Sequence, residues 1–212
     1  MLSPAVAAPF PLRWGFTTKQ DEAAPPVRLK QVHGCDIHRA QSDVQEGDGL
    51  WTQTPGEAIG VRVADCAPIL LAGITNTGPW VAALHAGWRG ATSGILRRGV
   101  AQFQALGGRP SELAWAVGPC IGPCHFEVGA EVLEAARQDP AWREALAEPR
   151  ANGKWHFNLP GFLQAQAVDL GLSPEHDGSV PHCTLCEPQR FFSYRGGDTQ
   201  GRQWGWIEIL PK

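Results

Sequence analysis

The stretch 79-PWVAALHAGWRGAT-92 runs apolar through Val81, Ala82, Ala83 and Leu84, then stops at His85 with Gly87, Trp88, Arg89 and Gly90 behind it. A run this short, bounded by Gly and Pro and rich in small and β-branched residues, reads as a buried strand. A strand that only fills a core usually ends in ordinary turn residues. Here an imidazole and a guanidinium close it, among glycines that let other groups approach.

Working back from that strand, PILLA (68–72) is a second apolar run, with Cys66 at its entry and Asp65 before it. His85 follows Cys66 by 19 positions, about the length of a strand, a turn and a strand. If the two runs pair antiparallel, Cys66 and His85 share one edge of a sheet. His33 in LKQVHG is a third polar residue beside a tight turn. Each of the three also has a plain explanation, as a core cysteine or a hydrogen-bonded loop histidine.

Working forward, Ile95, Leu96, Val100 and Phe103 fall on one face at helical spacing, which predicts a helix capped by Thr92 or Ser93. Residues 131–137 and 162–170 read as two more helices. AIGVRVA (58–64), LAWAV (113–117) and QWGWIEIL (203–210) read as strands, and 19–26 and 147–154 as loops. Strands mixed with helices, without a regular βαβ rhythm, indicate an α+β fold of mixed sheets packed with helices. The 212 residues read as one domain over 1–212.

Composition narrows the function classes. A formal net charge of −3 gives no electrostatic case for nucleic acid or a membrane surface. No apolar run approaches the roughly 18–20 residues of a membrane span. MLSPAVAAPFPLRWGF lacks the basic and apolar regions of a signal peptide, so the expected compartment is the cytoplasm. There the six cysteines (Cys35, Cys66, Cys120, Cys124, Cys183 and Cys186) are expected as free thiols, ligands or nucleophiles rather than disulfides. Cys183 and Cys186 form half of a structural zinc pattern, but no second CxxC completes it. The expectation is that both cysteine pairs, 120/124 and 183/186, line or support a pocket in the reduced state. His125-Phe126-Glu127 and Pro181-His182-Cys183-Thr184-Leu185-Cys186 mimic the zinc deaminase signature, with an extra His and too long a separation to suit one site.

The blocks QVHG (31–34), DGLWT (48–52), ADCAPILL (64–71), HAGWRG (85–90), GPCIGPCHFEVG (118–129), CTLCEPQRFFSYR (183–195) and GR (201–202), in that order, resemble the laccase-domain proteins of the YfiH type. That family, multicopper-oxidase-like by name, is regarded as one of purine nucleoside phosphorylases. The resemblance implies a zinc ion held by His33, Cys66 and His85, which would also be the catalytic residues. It further implies phosphorolysis of adenosine, inosine, guanosine and methylthioadenosine, with deamination of adenosine. Purine nucleosides and phosphate are then the partners, and the chain is a monomer or homodimer. Two imidazoles and a thiolate leave one tetrahedral position open, as catalytic zinc requires. For phosphate, Arg89 is the first candidate and Arg195 the second; Arg89 alternatively pairs with Asp65 or Asp48. Rival readings are a metal-free Cys66–His85 hydrolase, a copper-dependent polyphenol oxidase on the same ligands, and a non-enzymatic cell-wall editing or binding factor. The chain departs from the family in a shortened N-terminal segment, with about nine residues between GFTTK (15–19) and LKQVHG.

Overall fold

The computed structural model describes residues 1–21 and 27–211, so most of the loop expected at 19–26 lies outside the described residues. In chain order the strands and helices are β1 (Leu12–Phe16), β2 (Ile37–Arg39), β3 (Gly49–Thr52), β4 (Ile59–Val63), β5 (Ala67–Thr75) and β6 (Gly78–Ala86), then α1 (Trp88–Thr92) and α2 (Ile95–Ala105). There follow β7 (Ala114–Val117), β8 (Glu127–Val128), α3 (Ala130–Ala136), β9 (Ala147–Pro149), β10 (Trp155–Phe157), α4 (Leu159–Asp169) and β11 (Gln203–Ile209).

The quoted strand is β6, and it lies inside a five-stranded sheet of order β2-β3-β6-β5-β7. Only β2 and β3 pair in parallel; the other neighbours are antiparallel, so the sheet is mixed. Both faces of its centre are covered. Val81 and Ala83 of β6, Leu70 and Ala72 of β5, and Ala114 and Ala116 of β7 pack against a second sheet of order β1-β11-β4. The alternate residues Trp80, Ala82, Leu84, Ile69, Leu71, Trp115 and Val117 face a helical layer with α2 and α4. Alternation along a strand sends neighbours to opposite faces. Two covered faces therefore explain why the runs read as continuously apolar rather than alternating. Leu70, Leu71 and Leu84 are fully buried, worth about 1.5–3 kcal/mol each, which anchors β5 and β6 in the core.

α2 buries Ile95, Leu96, Val100 and Phe103, the face its spacing indicated. Its start differs from the expected cap at Thr92 or Ser93. α1 occupies Trp88–Thr92, and Gly94 at φ 85° breaks the chain before α2. A left-handed residue cannot continue a helix, and glycine takes that conformation without a Cβ penalty. α4 begins before residue 162, because Asn158 accepts a hydrogen bond from the Gly161 amide as a cap. The segment 147–154 is not wholly loop: β9 pairs with β10, which also pairs with β8. That pairing is a contact between strands, invisible to local composition. Among the described residues no helix is long and apolar enough to cross a membrane.

Candidate metal centre

β5 and β6 pair antiparallel with Ala67 opposite Ala86 and Pro68 opposite His85, which puts Cys66 and His85 at the same sheet edge. Gly87 follows directly, where an added Cβ would lie 2.9 Å from the Cys66 sulfur and 3.4 Å from His33 Cδ2. Glycine at this position leaves room for Cys66 and His33 to approach each other. His33 arrives from a separate loop, its ring edge-on to that of His85 with centroids 4.8 Å apart. One donor atom from each of His33, Cys66 and His85 lies within 4.8 Å of the others.

Asp48 builds this arrangement. It is fully buried at the head of β3, next to β6 in the sheet. Its Oδ1 lies 2.7 Å from His85 Nδ1 and accepts the His33 amide at 2.9 Å; its Oδ2 accepts the Gly34 amide at 2.7 Å. One carboxylate thus orients the buried imidazole and shapes the His33 loop. The carboxyl is held below its ordinary range, because the His85 and amide hydrogen bonds outweigh burial, which pushes it up. A carboxylate on the far nitrogen of a histidine fixes the tautomer and strengthens the other nitrogen as a ligand. Gln31 fastens the same loop to β4: it donates to the Arg62 carbonyl and accepts the Arg62 amide, both at 2.8 Å.

Two non-glycine residues here hold left-handed backbone, His33 at φ 62° and Asp65 at φ 82°. Such strain persists only where surrounding bonds over-determine it. For His33 those bonds come from Asp48. For Asp65 the carboxylate accepts the Thr184 hydroxyl at 2.6 Å and the Arg195 amide at 2.7 Å.

Electrostatics polarise the cluster. Burial pushes the Cys66 thiol up, but hydrogen bonds from His33 and His85 prevail and bring it down to about 6. Burial pulls His85 down, yet its bonds to Asp48 and Cys66 raise it to about 9. Thiolate sulfur is the form that binds metal. Two imidazoles and a thiolate, one imidazole braced by a carboxylate, fit a divalent ion of the zinc or copper type.

The three donors open into a cleft of about 680 Å³, which also takes in Arg62, Arg195, Arg202, Phe126 and Tyr194. Among the described residues none of these arginines forms an ion pair with a carboxylate. Arg195 instead donates to the Glu127 carbonyl at 3.2 Å, and Arg202 to the Gly201 carbonyl at 2.6 Å. Tyr194 is 65% exposed at the mouth.

A family model described as multi-copper polyphenol oxidoreductase laccase matches residues 16–210. The chain belongs to that family. Within the laccase family it is 35% identical to a Shigella flexneri protein named purine nucleoside phosphorylase YfiH, over 87% of this chain and 74% of the relative. It is 35% identical to a Haemophilus influenzae protein named purine nucleoside phosphorylase, over 84% and 71%. The crystal structure of the Bacillus licheniformis hypothetical protein YfiH superposes with a TM-score of 0.84 at 23% identity, covering 93% of this chain and 92% of that one. That likeness agrees with the α+β fold expected of the residues.

Other expectations fall differently. Arg195 reaches the cleft. Arg89 does not line it: the side chain is exposed on α1, its guanidinium 4.4 Å from the Trp88 ring centroid. Nor does Arg89 pair with Asp65 or Asp48, whose carboxylates are engaged elsewhere. All six cysteines are free, but neither pair lines the cleft of His33, Cys66 and His85. Cys120 is buried, while Cys124, Cys183 and Cys186 gather around His125. The separation of His125 from the CxxC had argued against one site, yet the bridge between Cys120 and Cys183 brings the two segments side by side. Arg62 and the bracing role of Asp48 had no local signal, and the GR block (201–202) marked Arg202 without giving it a role. DGLWT marked Asp48 as part of a block without revealing its partner.

Proposed function

We propose that the chain is a purine nucleoside phosphorylase that also deaminates adenosine, using zinc held by His33, Cys66 and His85. The observation that carries this reading is three convergent donors opening into a cleft with three guanidinium groups that, among the described residues, have no carboxylate partner. The names of the relatives support the substrate class. When bound, zinc would supply Lewis acidity and water of lowered pKa.

The chain's own residues supply the rest. Asp48 keeps the His85 proton on Nδ1, so that Nε2 stays free as a ligand. Arg195, Arg62 and Arg202 supply positive charge for phosphate; a guanidinium fork suits two phosphate oxygens at once. Phe126 and Tyr194 offer aromatic faces to a purine. In phosphorolysis a phosphate oxygen bonds to the ribose C1′ as the bond to purine N9 breaks. The electron pair departs with the base, which takes up a proton. Charge on phosphate falls while charge on the base grows, so fixed cations at the phosphate position nucleophile and sugar together. In deamination water adds at C6 and ammonia leaves, without phosphate. Adenosine, inosine, guanosine and methylthioadenosine share the purine and ribose that such a cleft would grip.

One observation favours a second reading. Cys66 Sγ lies close to His85, with Asp48 Oδ1 2.7 Å behind the imidazole, and this is the arrangement of a nucleophile–base dyad. Product analysis separates the two. Purified protein given adenosine and phosphate is expected to yield adenine and ribose 1-phosphate, with inosine forming in either buffer, and chelation stops both. Turnover that survives thorough chelation supports the dyad, and no cleavage of the glycosidic bond in phosphate overturns the phosphorylase reading.

A further inference from the structure

The cysteines left outside the cleft make a second constellation. Cys124 and His125 follow the turn at Gly122, and Cys183 and Cys186 form a CxxC loop some sixty residues on. The four donor atoms all lie within 4.8 Å of one another. Cys124 Sγ is 3.4 Å from Cys186 Sγ, and His125 Nδ1 is 3.4 Å from Cys186 Sγ and 3.8 Å from Cys183 Sγ. Zinc with Zn–S near 2.3 Å and Zn–N near 2.0–2.1 Å requires tetrahedral edges of about 3.8 Å between sulfurs and about 3.5 Å from sulfur to nitrogen. The two sulfur-to-nitrogen spacings bracket their edge, and the Cys124–Cys186 spacing is about 0.4 Å short of the sulfur edge. A disulfide requires sulfurs about 2.05 Å apart and leaves His125 and Cys183 without a role.

The surroundings suit a bound cation. The Gly122 amide donates to Cys183 Sγ at 3.2 Å, which favours thiolate over thiol. A Cβ on Gly122 would stand 3.2 Å from Cys183 Cβ and 3.3 Å from Cys124 Sγ, so glycine keeps the cradle open. Cys120 and Thr184 clasp the two loops together, the Thr184 amide donating to the Cys120 carbonyl at 3.0 Å.

We infer that Cys124, His125, Cys183 and Cys186 bind a second zinc ion, a closed structural site separate from the one proposed at His33, Cys66 and His85. Four protein ligands fill the tetrahedron and leave no position for water, which also removes any deaminase role for this His-x-Glu and CxxC pair. The site staples two cleft walls. Phe126 follows the ligand His125 on one segment. Tyr194 and Arg195 follow the CxxC on the other, and Thr184 inside that motif holds Asp65 next to Cys66.

The test is metal counting under reducing conditions, by elemental analysis and by native mass spectrometry of the wild-type protein, which needs no variant. Wild type is expected to carry two zinc ions per chain, Cys186→Ser and His125→Ala one fewer, and Cys66→Ser one fewer from the other site. Cobalt substituted into the Cys66→Ser protein should show a strong thiolate charge-transfer band that weakens in Cys66→Ser/Cys124→Ser. Because the second site is read from the difference between wild type and Cys186→Ser, it stands or falls apart from the first. Wild-type metal content in Cys186→Ser overturns the inference, as does a fully reduced wild-type protein that carries no second zinc.

Discussion

The two sulfur-bearing clusters differ in number, depth and bracing. The first has three donors, one of them the nearly buried His85, and leans on the carboxylate of Asp48. The second has four donors near the surface, supported by a backbone amide. Three donors beside an open cleft leave room for chemistry; four donors between two loops leave room only for the ion. On the readings proposed above, the same ligand types serve two purposes, decided by how many converge and what faces the gap.

That contrast is sharpest under mutation. Cys66→Ser is expected to reduce nucleoside turnover to background, whereas Cys186→Ser keeps measurable turnover; equal loss in both, with folding intact by circular dichroism, breaks the distinction. Asp48→Asn removes the brace and not a ligand, so zinc affinity at the first cluster should fall about 10–100-fold, read by competition with a chromophoric chelator. An unchanged affinity means that Asp48 only shapes the loop. Arg195→Ala should raise the KM for phosphate about tenfold, the loss of roughly one charged hydrogen bond, and leave adenosine deamination less affected. Arg89→Ala, outside the cleft, should change neither by more than about twofold. The reverse ranking would return the phosphate to α1. Smallest of all, Gly94→Ala should cost about 1–2 kcal/mol through its left-handed backbone, lowering Tm by about 2–8 °C, with metal content untouched.

Some of this was legible in the residues. β5 and β6 are consecutive and form a hairpin, so the meeting of Cys66 and His85 followed from spacing. The buried face of α2 followed from its period. His33 stood out as a histidine beside a tight turn, but its place with the other two came from the resemblance, because nothing local ties its loop to that edge. The sequence places Asp48 in the DGLWT block and offers it as a partner for Arg89; its bond to His85 depends on β3 lying beside β6, which composition does not encode. Arg89 is the opposite case: glycines around a guanidinium suggest an anion loop, and only the turn of α1 decides that it faces solvent outside the cleft. The second cluster was half visible as Cys183 and Cys186. Its other half was obscured because Cys124 and His125 are adjacent in the chain and match no familiar ligand spacing.

His33 decides most directly between a metal centre and a cysteine–histidine pair, since its loss takes a ligand from the first and only a hydrogen bond to the Cys66 sulfur from the second. Elemental analysis of His33→Ala, set beside adenosine turnover, is expected to find one zinc fewer per chain than wild type and no phosphorolysis. Full zinc content with undiminished turnover would contradict the account.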